Sequence, residues 1–224
     1  QGDLLEALKQ QQRAVTITEV EKQDAMKMLR LMGMPVLLAP GEAEAQCAQL
    51  CKVGIAYGVV SEDMDTLTHG AHYLIRNFNK RGSASRQFRT SPRDIAVEVA
   101  LDSKLTMEQF IDFCILCGCD YTSRISNIGP VRAYKLLQEH NDILQIMAWI
   151  RSNPSQQETY KISTDFSPLV ARSLFTQAKV QKEGFEIDWQ PINQQALKEF
   201  LIEKEFSTNR ITNWLEKAVM NSYY

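Results

Sequence analysis

Apolar positions recur along this chain in two rhythms, and the change between them divides it near residue 90. Residues 1–33 predict a helix, polar in its first half, with Val20, Met26, Leu29 and Met32 as an approximate stripe; Gly33 and Pro35 stop it. Val36-Leu37-Leu38 predicts a short buried strand. Glu42–Lys52 predicts a helix with Ala45, Cys47, Ala48 and Cys51 inward, closed by Gly54. Ile55–Val60 and Tyr73–Phe78 predict two further buried strands. A strand–helix–strand order of this kind implies a parallel sheet with helices on its faces.

Beyond residue 90 the strand signals cease. Ser91–Leu101 predicts a helix. Thr106 opens the next, with Gln109 three residues on as a capping box, and Phe110, Phe113, Cys114 and Cys117 form its stripe up to Gly118. Pro130 suits the first turn of a helix reaching His140. Further helices are expected near 141–151, 167–180, 193–205 and 208–221, and Ser152–Thr164 reads as a polar loop. The predicted class is α/β: a parallel-sheet core in residues 1–90, then an all-helical part in 91–224.

Composition narrows function only a little. The 224 residues carry 25 Lys and Arg against 27 Asp and Glu, so net charge does not advertise nucleic-acid binding. No apolar run approaches the ~20 residues a membrane span needs, and no secretory signal stands at Gln1. The chain lacks a starting Met and opens inside a helical pattern, which suggests a piece of a longer protein. Its five cysteines (Cys47, Cys51, Cys114, Cys117, Cys119) are odd in number and sit in apolar helical contexts, as reduced intracellular thiols do. A zinc site on Cys114, Cys117 and Cys119 finds no patterned fourth ligand among His69, His72 and His140.

The candidate chemistry lies in three acidic clusters, each placed after an apolar segment: Pro40-Gly41-Glu42-Ala43-Glu44, Ser61-Glu62-Asp63-Met64-Asp65 and Gly118-Cys119-Asp120-Tyr121. Carboxylates forced together disfavour one another's ionised forms unless a cation intervenes. Oxygen-only donors suit Mg²⁺ or Mn²⁺. Glu42 is expected just before its helix's first full turn and Glu44 within it. If extended backbone persists past Val60, Asp63 and Asp65 share a face. Taken singly, each cluster also reads as helix-terminal or turn chemistry; taken together they point to metal-assisted chemistry on phosphate.

A second signal is Asn127-Ile128-Gly129-Pro130-Val131-Arg132, a turn into a helix whose free N–H groups suit a phosphate oxygen, with Arg132 and Lys135 able to add charge. Lys80, Arg81, Arg86 and Arg89 form a basic stretch, read as a loop that is either solvated or in contact with a nucleic-acid backbone.

On these residues the chain resembles the flap endonuclease family of structure-specific 5′ nucleases, to which the xeroderma-group-G nucleases also belong. Leu31–Ala48, Ser61–Leu67, and Phe113–Tyr121 with Ile128-Gly129-Pro130 look like its acidic blocks and its helix–hairpin–helix, in order. The resemblance implies a PIN-like nuclease core, two Mg²⁺ or Mn²⁺ ions, and Glu42, Glu44, Asp63, Asp65 and Asp120 as catalytic metal ligands. It implies cleavage of flapped or branched DNA, endonucleolytic and 5′–3′ exonucleolytic, in replication and repair. The location implied is nuclear, with mitochondria as the alternative. DNA contacts are implied at Glu42, Gly118, Asp120, Arg124, Gly129, Arg132, Lys135, Lys80 and Arg81, and a K⁺ on the carbonyls of Arg124, Ile125 and Ile128.

Three departures qualify the likeness. The family's amino-terminal portion, with two further aspartates, the first strand and half of a helical arch, has no counterpart; Gln1–Arg13 looks like the other half of the arch. This chain alone is therefore expected to cleave poorly. Val131 stands where many relatives carry Lys, and Arg124 where they often carry a small polar residue. The chain stops at Tyr223-Tyr224 with no sliding-clamp motif, although the intact protein is expected to use the clamp. Alternative readings are a related exonuclease or junction nuclease, and a non-catalytic DNA-binding module.

Overall fold

The computed structural model describes residues 17–76, 88–90 and 105–221. The expected arch segment Gln1–Arg13, the helix Ser91–Leu101 and the basic residues Lys80, Arg81 and Arg86 lie outside them. The elements are α1 (Glu19–Leu31), α2 (Ala43–Lys52), β1 (Val59–Val60), α3 (Asp65–Thr68), β2 (Leu74–Arg76), β3 (Phe88–Thr90), α4 (Met107–Cys117), α5 (Pro130–His140), α6 (Ile143–Ser152), α7 (Pro154–Thr159), α8 (Pro168–Thr176), α9 (Gln194–Glu203) and α10 (Thr208–Asn221).

Leu38–Gly184 form one compact unit. Its sheet runs β1-β2-β3 among the described residues. Val59 and Val60 pair in parallel with Leu74 and Ile75, the crossover being α3, as the strand–helix–strand order requires. β3 pairs antiparallel to β2, with Arg89 opposite Ile75, so the sheet is mixed and Arg89 belongs to a strand rather than a loop. Val36-Leu37-Leu38 is irregular, with Leu38 59% exposed, because no described strand lies beside it to take its hydrogen bonds. The strand expected over Ile55–Val60 is only its last two residues, Ile55 being exposed.

α4 joins the sheet to the helices. Thr106 and Gln109 exchange both capping-box bonds, 3.1 and 3.2 Å. The helix is apolar on nearly every side and is covered on nearly every side. Phe110 packs with Leu67 of α3 and Leu74 of β2. Ile111, Ile115 and Leu116 pack with α5, α6 and α8. Each fully buried side chain of this kind contributes roughly 1.5–3 kcal/mol. One buried charge sits on the helix: Asp112, 1% exposed. It accepts from Arg172 of α8 through Nε at 2.5 Å and through Nη2, and from the Ile143 N–H that opens α6 at 2.9 Å. The polar stretch after Ser152 is not a continuous loop. Pro154 at the first position starts α7.

Gln1–Leu37 with Phe185–Tyr224 form the second unit. Leu197, Ile211 and Leu215 make its core, with Met28 and Leu31 of α1 and Met32 just past its end packed against them. Lys204 pairs with Asp24 at 2.6 Å, and the Gln190 N–H donates to the Gly33 carbonyl at 2.9 Å.

Candidate active site

Three local structures carry the acidic residues. Glu42 is the N-cap of α2 in extended backbone, with no side-chain cap bond, and Glu44 lies in the first turn. Their positions follow the sequence expectation, beside a positive helix terminus. Past Val60 the backbone is not extended. Ser61 Oγ accepts from the Asp63 N–H at 3.0 Å, and Asp63 Oδ1 accepts from the Asp65 N–H at 2.9 Å. This pair of side-chain bonds bends the chain into α3, so Asp63 and Asp65 are not two residues of one strand face; a short carboxylate accepting two residues on favours a turn. Asp120 sits in the tight turn between Cys119 and Thr122, just past the Gly118 that caps α4.

Packing brings the three together. Leu67, two residues after Asp65, is buried against Phe110 of α4, with Cys114 beside them. Burial raises the Cys114 and Cys119 thiols, and Asp65 lies near enough to raise both further, so the start of α3 faces the end of α4, which leads into Asp120. Electrostatics register the result: burial, then Asp63, Asp120, Glu44 and Glu42 in that order, push the Asp65 carboxyl up to about 6. The other four sequence-predicted carboxylates thus all act on Asp65. Asp65 and Glu44 are half-buried, and Glu42, Asp63 and Asp120 exposed.

The donor chemistry suits a hard cation: every group is an oxygen anion, and their repulsion is what a divalent ion relieves. Among the described residues, no three His, Cys, Asp or Glu stand together as a ready-made cation site.

Two neighbours were not singled out in the sequence. Burial, then Glu42, Asp65 and Asp63, push the Tyr121 phenol up to about 12, so it remains a neutral donor beside the carboxylates. Its ring meets Phe175 edge-on at 4.9 Å. His69 is buried, donating from Nδ1 to the Phe175 carbonyl at 3.1 Å, and burial holds its pKa low. Tyr121 could have been found from its place in the Asp120 motif; nothing in the sequence marks His69.

The hairpin is built from the same unit. Ile125 and Ile128 are buried, Ile128 N–H reaching the Ile125 carbonyl at 3.4 Å, while Asn127 adopts φ 62°. Asn127 Nδ2 donates to the Thr159 carbonyl at 2.8 Å, and Arg132 Nη1 to the Asn127 carbonyl at 2.7 Å. Arg132 therefore braces the turn. Gly129 and Pro130 open α5, whose first N–H groups have no intrahelical acceptor. Val131 is 70% exposed there and Lys135 is exposed. Arg124 lies across Gly118: a Cβ on that glycine, at φ +112°, would meet Arg124 Nε at 2.2 Å. Lys80 and Arg81 are outside the described residues.

With that geometry in view, residues 33–120 match the XPG I-region. Flap endonuclease 1-1 of Paramecium tetraurelia is 42% identical over 225 residues, covering 97% of this chain and 56% of that protein. The catalytic core of Rad2 in complex with a DNA substrate superposes with a TM-score of 0.75 at 18% identity, covering 92% of this chain and 72% of that one. The eukaryotic junction-resolving enzyme GEN-1, in a structure binding potassium, superposes with a TM-score of 0.60 at 22% identity, covering 83% and 53%. The fold is that of the 5′ nucleases. The chain is similar to flap endonucleases over nearly its whole length and matches the XPG I-region over residues 33–120. It spans little more than half the length, 56%, of the curated relatives it matches.

Proposed function

We propose that the protein containing this chain is a structure-specific 5′ flap endonuclease, with 5′–3′ exonuclease action, that hydrolyses branched DNA in replication and repair. The observation that carries this reading is the convergence of four acidic neighbours on Asp65, in a chain similar to flap endonucleases. Glu42, Glu44, Asp63, Asp65 and Asp120 would hold two Mg²⁺ or Mn²⁺ ions. Such ions supply a low-pKa water for attack on phosphorus and neutralise charge on the entering and leaving oxygens. Residues of the chain do the rest. Water adds to phosphorus, the P–O3′ bond breaks, the 3′ oxygen leaves as the hydroxyl end of the flap, and the 5′-phosphate stays on the downstream strand.

The hairpin holds duplex phosphates through the free N–H groups at Gly129 and the start of α5, without sequence readout. Gly118, Arg124, Arg132, Lys135, Lys80 and Arg81 are the further proposed DNA contacts, with Glu42 and Asp120 bordering the strand to be cut. Arg132 acts there through the turn it braces. A K⁺ on the carbonyls of Arg124, Ile125 and Ile128 would extend the hairpin's grip, in keeping with the potassium-binding junction-resolving enzyme of the same fold. The setting proposed is the nucleus, with mitochondria as the alternative; among the described residues no helix is long and apolar enough to cross a membrane.

The test is binding of a 5′-flapped duplex and of a plain duplex, in Ca²⁺, over a salt series. The account expects tighter binding to the flapped form, and a salt slope that Arg124→Ala makes shallower by roughly one contact. Equal affinity for both DNAs, unaffected by Ca²⁺, would leave a plain DNA-binding module. An unchanged slope would remove Arg124 from the contacts.

A further inference from the structure

We infer that Gln46 is a positioning residue for the Glu42 and Glu44 arm of the carboxylate group, acting through the strap Lys179–Gln181; the inference rests on the reading of those glutamates as metal ligands. Gln46 lies in α2 two residues beyond Glu44 and is 3% exposed. A primary amide so buried must have both its donor and its acceptor satisfied. Here one residue does both: Gln46 Oε1 accepts from the Gln181 backbone N–H at 2.7 Å, and Gln46 Nε2 donates to the Gln181 carbonyl at 3.1 Å. The side chain imitates a neighbouring strand, pairing with backbone that belongs to no helix or strand.

A second contact lies on the other side of the glutamates. The backbone of Gly41 approaches Lys179 so closely that a Cβ there would stand 2.9 Å from the Lys179 carbonyl oxygen. Gly41 and Gln46 bracket Glu42 and Glu44 in sequence, and Lys179 and Gln181 answer them along the strap. The strap in turn is closed on itself. Gln181 Nε2 donates to the carbonyls of Glu183 and Gly184 at 3.0 and 2.9 Å.

The need for such a hold follows from charge. Glu42 and Glu44 face the same neighbourhood as Asp63, Asp65 and Asp120. Repulsion favours moving the start of α2 away, and a helix terminus is its easiest part to displace. A buried, doubly bonded amide one turn in resists that displacement. Neither glutamate has a cap bond of its own to do so at the N-cap position.

The test compares the whole chain with its Gln46→Met variant, which keeps length and apolar contact but has no amide. Leu137→Val, a change in the buried face of α5 away from α2, serves as a control for general loss of stability. Amide hydrogen exchange is expected to rise in Gln46→Met at Gln181 and at the first backbone bonds of α2, and not in Leu137→Val. Mn²⁺ affinity by calorimetry is expected to fall roughly tenfold in Gln46→Met alone, the effect typical of groups that orient metal ligands. Exchange and affinity like those of the parent chain, or equal losses in both variants, would overturn the inference. Failure of the parent chain itself to bind Mn²⁺ would remove the metal reading instead, and exchange at α2 would then decide whether Gln46 holds that terminus.

Discussion

The Asp65 backbone N–H donates to Asp63 Oδ1 at 2.9 Å, so one carboxylate of the acidic group shapes the turn that presents the next. The same oxygen that could face a cation is also the acceptor that bends the chain into α3. The two roles separate by substitution. Asp63→Asn keeps an acceptor oxygen and loses the charge; Asp63→Ala loses both. Asp63→Asn is expected to keep parental stability while weakening Mn²⁺ binding. Asp63→Ala should lose a further ~1 kcal/mol of stability, the usual net contribution of one hydrogen bond. Urea unfolding and calorimetry on the two variants measure this. Equal stability of both would show that the bond contributes nothing.

Asp65 makes stability depend on pH in an unusual direction. Its folded pKa, about 6, is above the ordinary carboxylate value, so the folded state holds the proton more tightly than the unfolded state. Its contribution is full below about pH 4 and is lost as pH rises through about 6. Without divalent ions, the chain should therefore lose about 1 kcal/mol from this group between those limits, a figure reduced for the half-exposure of the side chain. Asp65→Asn should flatten that part of the profile and stabilise the chain at pH 7. Parallel profiles for parent and variant would contradict the assignment.

Gly118 answers two constraints at once, its φ of +112° and the Arg124 guanidinium across it. Gly118→Ala should cost about 1–3 kcal/mol. In the Arg124→Ala background the steric part is relieved and the backbone part remains, so the cost should shrink without vanishing. Chemical unfolding of the four members of the cycle gives the coupling. Strict additivity would mean that Arg124 does not rest on Gly118.

Asp112 is bonded to Arg172 and to the start of α6 while only 1% exposed. Its removal strands a guanidinium and an N–H together. Asp112→Ala is expected to destabilise by about 3–5 kcal/mol, read by urea unfolding. A loss under 1 kcal/mol would show the pair to be dispensable.

Much of this was legible in the residues. The Thr106 and Gln109 cap, the stop at Gly118 and the Pro130 start are local signals, and local backbone chemistry settled them. The acidic clusters were legible because each follows an apolar element. What escaped were features decided by distant partners. Val36-Leu37-Leu38 has strand composition and no described strand beside it. Phe88–Thr90 is too short to announce itself, and is a strand because β2 offers an edge. The bend at Asp63 was missed because a carboxylate two residues ahead competes with extended backbone. Arg132 also braces the turn through the Asn127 carbonyl, a bond that only the folded hairpin reveals.

The most direct measurement is the titration of the Asp65 side-chain carboxyl by carbon NMR, with and without Mg²⁺. A midpoint near 6 in the ion-free chain, falling into the ordinary carboxylate range when Mg²⁺ is saturating, is the expected result. An ordinary midpoint in the ion-free chain, indifferent to Mg²⁺, would contradict the gathering of the five acidic groups around one cation-binding centre.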